Sequence, residues 1–152
     1  MKKALFTVLA LVLAVISFAQ TKGDNSLGNS IIGDYESIKG KDHFKVHITQ
    51  NRDGSFKGQI FWMEIDKDEN GKVLLDEKNP DKNLRKLPCT QIVLFDGLKY
   101  NAEKKVWDGT KIYDPQRGIR AKVTCEFQPD GKLMLKGSVL GISEKAYWTK
   151  IK

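Results

Sequence analysis

The residues best equipped for chemistry in this chain fall into a few clusters. Asp66-x-Asp68-x-Asn70-Gly71 followed by Glu77 matches the spacing of a calcium loop. Asp66, Asp68, Asn70 and Glu77 would supply oxygen ligands, and Gly71 the sharp bend. Against this, Ile60 to Ile65 read as a strand, where such a loop needs an entering helix. An ordinary Asp-Glu-Asn-Gly turn accounts for the same residues, so no metal is assigned. A second cluster holds Asn79-Pro80-Asp81, Leu84-Arg85 and Leu87-Pro88. Pro80 keeps Asn79 out of the helical region. Arg85 offers a planar guanidinium fork for a carboxylate or phosphate, or for Asp81, which would lock the loop. A third cluster is Trp107-Asp108-Gly109 with Ile112-Tyr113-Asp114-Pro115 and Gly118. There Tyr113 and Asp114 end a strand and would line an opening, or simply form a turn. Trp107 is an aromatic that either packs or faces a ligand.

Other chemistry is thin. His43 and His47 share one polar strand face, but no third ligand completes a metal set. No Gly-x-Ser-x-Gly elbow is present, and neither Cys89 nor Cys125 sits in the setting of an activated thiol. No catalytic residue is assigned. The candidate ligand-binding residues are therefore Asn79, Arg85, Trp107, Tyr113 and Asp114, with no cofactor.

The elements that must position these residues are strands. Phe44, Val46 and Ile48 alternate with Lys45, His47 and Thr49, the period of a half-buried strand. An Asp53-Gly54 turn leads into Phe56, Gly58, Ile60 and Trp62, read as the inner face of the next strand. The pattern returns at Ile119, Ala121, Val123, Cys125 and Phe127, turns at Pro129-Asp130-Gly131, and continues with Leu133, Leu135, Gly137 and Val139. A last strand covers Lys145–Ile151. Shorter strands are expected at Gln91–Phe95, Leu98–Tyr100, Val106–Trp107 and Lys111–Tyr113. Phe61 and Met63 point away from Ile60 and Trp62 in this reading and would form an outer apolar patch. Short strands joined by hairpins predict an all-β, antiparallel up-and-down barrel of about eight strands, since closure removes exposed edges. The long connection from Asp66 to Pro88 is the one interruption.

The chain has 152 residues and a net charge of +7. Met1-Lys2-Lys3, an uncharged run from Ala4 to Ile16, and Ser17-Phe18-Ala19 have the order of a secretory signal. The run is shorter than the roughly 20 apolar residues of a membrane anchor. Cleavage is expected after Ala19, leaving a flexible leader at 20–30 and one domain at 31–152. This predicts an exported protein, periplasmic or extracellular, with no transmembrane segment once the signal is removed. The lysines are scattered, so the positive charge does not point to nucleic acid. After export Cys89 and Cys125 would meet an oxidising compartment. A bridge between them would be worth on the order of 3–4 kcal/mol; two buried thiols are the alternative.

Several of these residues also carry a family resemblance. Gly33-x-Tyr35, Asp76-x-x-Asn79-Pro80-Asp81-x-x-Leu84-Arg85-x-x-Pro88, Trp107-x-Gly109-x-x-Ile112-Tyr113-Asp114-Pro115-x-x-Gly118, Leu133-x-Leu135-x-Gly137 and Trp148-Thr149-Lys150 resemble the exported bacterial family known as domain of unknown function 2147. Tyr35 stands where that family usually has Trp, Lys150 where it usually has Arg, and Ile119-Arg120-Ala121 lacks an expected aromatic. A Gly-x-Trp opening with a late arginine is also similar to the lipocalin-like superfamily, in which the cation packs over the ring at the closed end. Tyr35 and Lys150 would make a weaker version of that contact. The resemblance implies a lipocalin-like barrel in the cell envelope with no assigned reaction. It marks Asn79, Arg85, Tyr113 and Asp114 for testing. The leading expectation is a non-catalytic barrel that binds a small, partly apolar molecule or an envelope component. The alternatives are an enzyme using Asp114 as acid or base with Arg85 as anion clamp, and a protein-interaction module using Phe61 and Met63.

Overall fold

The computed structural model describes residues 23–152. The expected signal peptide, 1–19, lies outside them. Eight antiparallel strands, β1 (Gly33–Lys39), β2 (Asp42–Gln50), β3 (Phe56–Met63), β4 (Val93–Asn101), β5 (Val106–Asp114), β6 (Ile119–Phe127), β7 (Leu133–Val139) and β8 (Ile142–Lys150), follow one another around a closed barrel. Each pairs with its successor, and Tyr35–Lys150 and Glu36–Thr149 join β1 to β8. The up-and-down barrel read from the alternation is the fold observed. Along β6, Val123, Cys125 and Phe127 are buried, and Leu133 and Leu135 of β7 meet them from the next strand.

Two local features differ from the simple alternation. The strands expected at Gln91–Phe95 and Leu98–Tyr100 join into β4, which starts only at Val93 because Gln91 closes the 3₁₀ turn Cys89–Gln91, and those at Val106–Trp107 and Lys111–Tyr113 join into β5. Positive-φ glycines, Gly97 and Gly109, lie within them. In β3, Val46 pairs with Ile60 but Lys45 pairs with Trp62, so Phe61 is an extra, bulged residue. A bulge reverses the facing of everything beyond it. Met63, opposite Phe44, thus packs against the core. Trp62 lies under the Lys45 ammonium, 4.6 Å from its ring centroid, and Phe61 stacks on His47 at 3.7 Å. The inner placement of Trp62 and the outer pairing of Phe61 with Met63 are thereby corrected.

One end of the barrel is sealed by the segment before β1. The described part of the 20–30 leader is tied down rather than loose. Gly28–Ile31 forms a 3₁₀ turn whose Ile31 is fully buried. Trp107 Nε1 donates to the Gly28 carbonyl at 2.9 Å, Tyr35 Oη to Ile31 O at 2.7 Å and Lys150 Nζ to Ser30 O at 2.7 Å. Asn25 exchanges two bonds with the backbone of Phe127. The Lys150 ammonium also lies 5.8 Å from the Tyr35 ring centroid, the cation-on-ring contact that the two substituted positions imply. Burial pushes the Tyr35 hydroxyl pKa up and the Lys150 ammonium pKa down.

Both cysteines are free thiols. Cys125 is fully buried opposite Trp107, while Cys89 is half-buried at the end of the long connection. Burial raises both thiol pKa values, and the carboxylates of Asp76 and Glu77 raise that of Cys89 further.

Candidate ligand cavity at the open end of the barrel

The two halves of the barrel are filled differently. Toward the sealed end, Trp107 packs edge-on against Phe127 at 5.7 Å and against Tyr100 at 5.2 Å. Trp148 sits across the middle, in contact with Tyr35, Phe44 and Phe95 at ring separations of 6.3–6.5 Å. Above Trp148 the interior is hollow: a cavity of about 720 Å³ opens between the β1–β2, β5–β6 and β7–β8 turns. Its wall is aliphatic, with Ile60, Met63, Ile92, Leu94, Ile112 and Leu135 among the lining residues. The inward positions at this level include Ser37, Ala121, Gly137 and Ala146. Those side chains are too small to meet across the barrel, so the space stays open. The volume lies within the range of sites that bury a small organic molecule.

The long connection between β3 and β4 completes the wall, contributing Leu74 and Cys89 to the lining. It is held by one buried carboxylate. Asp76 Oδ1 accepts from Tyr113 Oη at 2.7 Å, and Asp76 Oδ2 accepts from Asn79 Nδ2 at 2.7 Å. All three residues are buried. Asn79 Oδ1 accepts from Asp81 N at 2.9 Å, and Arg85 Nε donates to the Asn79 carbonyl at 2.8 Å. Burial and the bond to Asp76 raise the Tyr113 pKa, so its hydroxyl remains the donor. Farther along, Lys78 Nζ donates to Gln116 O at 2.6 Å. A Cβ on Gly118 would lie 2.4 Å from the Lys78 carbonyl, so this close approach requires glycine.

The five sequence candidates therefore separate. Tyr113 and Asp114 border the cavity. Tyr113 faces the Asp76 knot, and Asp114 shapes the rim. The Asp114 carboxylate accepts from the backbone N–H groups of Gln116 and Arg117 and lies 3.0 Å from Arg117 Nε. Arg117 also pairs with Glu144, a contact that raises the Arg117 pKa and lowers that of Glu144. Asn79 and Arg85 do not line the cavity; they fasten its wall. Arg85 is turned to the Asn79 carbonyl rather than to Asp81, whose side chain caps the short turn Lys82–Leu84. Trp107 lies in the packed half, fully buried, and is absent from the cavity lining.

Within the Asp66–Glu77 stretch, Asp68–Gly71 forms a tight turn, with Gly71 N donating to Asp68 O at 2.9 Å. Asp68 Oδ1 accepts from Asn70 N and Lys72 N, both at 2.9 Å, and Lys67 bridges to Val73. Among the described residues no three His, Cys, Asp or Glu side chains gather as metal ligands. His43 and His47 serve separate carboxylates, Glu36 and Asp34.

What sequence reading missed is the hub. Asp76 was visible only as the first residue of the Asp-x-x-Asn-Pro-Asp motif, and nothing in the alternation marks it as buried. The small inward residues were a usable signal for the cavity: alternation shows which side chains point in, and their sizes show where the interior is left unfilled.

Fold and cavity together define a closed eight-stranded antiparallel barrel, packed at one end and hollow at the other. A solved structure with the same architecture is described as protein HP1028 from the human pathogen Helicobacter pylori, belonging to the lipocalin family. It is 19% identical, with a TM-score of 0.64, covering 80% of this chain and 82% of that one. That similarity is one of fold. The chain belongs to the bacterial family described as "Uncharacterized protein conserved in bacteria (DUF2147)", which matches residues 33–150. No curated protein matches the chain. Among the described residues no helix is long and apolar enough to cross a membrane.

Proposed function

We propose that this protein is exported to the cell envelope and there holds a small, partly apolar molecule in the hollow half of its barrel, without transforming it. The observation that carries the reading is the aliphatic cavity of about 720 Å³ that ends on Trp148. Burying apolar ligand surface against such a wall is worth roughly 25 cal/mol per Å² before ordering costs. The polar groups nearest the cavity support binding over catalysis. Tyr113, Asp114 and Arg117, which border the cavity, are each engaged with a protein partner, which leaves none of them free to act as acid or base. The lipocalin description of the Helicobacter protein fits the same reading.

Native mass spectrometry of the protein isolated from its own envelope is expected to show a bound small molecule. Ala146→Trp, which fills the cavity from β8, should weaken binding of an apolar fluorescent probe by at least about tenfold with an unchanged circular dichroism spectrum. Unaltered probe affinity in that variant would remove the cavity as the site. Export is supported by the order of residues from Met1 to Ala19. Amino-terminal sequencing of the envelope fraction should begin at Gln20; a protein that keeps Met1 and stays in the cytosol would overturn that part.

A further inference from the structure

The β7–β8 turn contains a residue that the fold does not need. Val139 pairs with Ile142, leaving Leu140 and Gly141 as the two central residues, both with positive φ, 49° and 80°. A type I′ turn of this kind favours Asn-Gly, because asparagine tolerates the left-handed region and leucine does not. Leu140 is also 98% exposed. It thus combines an unfavourable backbone with a fully hydrated aliphatic side chain, and it packs against nothing.

Its surroundings repeat the theme. Ile142, at the start of β8, is 72% exposed, and Ile38, beside the β1–β2 turn, is 64% exposed. β1 and β8 are neighbours in the barrel, so these three side chains sit on adjacent hairpins at the open end. Between them lie Lys39, Lys41 and Lys145, all bordering the cavity mouth. None of the three is in an ion pair among the described residues. The rim acids are engaged: Asp114 and Glu144 with Arg117, and Asp42 as acceptor from Gln116 Nε2 at 2.6 Å.

We infer that the hairpin tips β1–β2 and β7–β8 form a docking face for a lipid bilayer carrying anionic headgroups. The lysines lie at the headgroup level, and Leu140, Ile142 and Ile38 enter the acyl boundary. Apolar prongs separated by cations are how interfacial segments bind such surfaces. The prongs stand along one side of the cavity mouth with lysines between them, and so present no continuous apolar surface for a folded partner. Fluid acyl chains fill the spaces between prongs without a matching shape. Docked this way, the aliphatic cavity opens directly toward the membrane. The docking face stands whether or not the cavity holds a ligand.

The test is co-sedimentation of the full chain, isolated as its producing cell releases it, with phosphatidylcholine vesicles with or without phosphatidylglycerol. Any N-terminal residue retained is common to all variants, so the reading is the difference between them. Wild type should bind the anionic vesicles and lose binding as salt rises. Leu140→Asn should bind at least about tenfold more weakly, while its melting temperature stays level or rises, because asparagine suits the turn. Lys41→Glu should also bind about tenfold more weakly. Ile38→Ser, at a prong that is exposed and takes no part in lining the cavity, should likewise bind the vesicles more weakly, yet take up an apolar fluorescent probe as wild type does when vesicles are absent, which separates this face from the cavity. Three results overturn the inference: no wild-type binding to anionic vesicles, Leu140→Asn binding as well as wild type, or Leu140→Asn dissolving a wild-type dimer without affecting vesicle binding.

Discussion

Asp76→Ala should lower the free energy of unfolding by about 3–4 kcal/mol, read as a shift of the urea midpoint. The substitution removes the acceptor of two buried donors, Tyr113 Oη and Asn79 Nδ2. Each is then left without a partner in a site that water does not reach, at about 1–3 kcal/mol apiece. Tyr113→Phe is the milder control. It deletes one donor and leaves Asp76 bonded to Asn79, so a loss of about 1–2 kcal/mol is expected. If the two variants proved equally mild, Asp76 would not be the hub of the loop. The prediction reaches the cavity as well, because the loop that Asp76 anchors supplies Leu74 and Cys89 to the wall. Where Asp76→Ala still folds, its affinity for an apolar probe should fall too.

Trp107→Ala should destabilise the barrel by about 3–5 kcal/mol and leave the affinity for a cavity ligand within about twofold of wild type. Trp107 is fully buried, packs against Phe127 and Tyr100, and donates to Gly28. The ring of Trp148 lies between the packed half and the hollow, so the void left by Trp107 does not join the cavity. A variant that stayed stable but lost its ligand would return Trp107 to the binding site.

These two residues also show how far the sequence could be read. Trp107 and Tyr113 both lie on β5 in a motif with specific spacing, and spacing alone gives them equal claims to a site. What separates them is distance along the barrel axis, which depends on where the neighbouring strands end. The alternation in β2, β6 and β7 was clear because each residue of the period obeys one rule, in or out. That rule fails in β3, where the single inserted residue at Phe61 leaves the composition unremarkable yet turns Trp62 outward and Met63 inward. The long connection defeated pattern reading for a different reason. Its order comes from side-chain hydrogen bonds to Asp76, which have no period. Asn79 and Arg85 were expected to touch a ligand; the geometry places them in the hydrogen bonds that hold the wall, outside the cavity lining.

The seal at the packed end joins the segment before the first strand to the last strand. Gly28 waits for Trp107, Asn25 for Phe127, and Ser30 and Tyr35 for Lys150, the last residue of the last strand. No length of polypeptide short of nearly the whole can complete the ring. Closing contacts so remote in sequence slows folding. Until β8 is in place, the segment before β1 lacks its partner Lys150 and the barrel stays open along the β1–β8 seam.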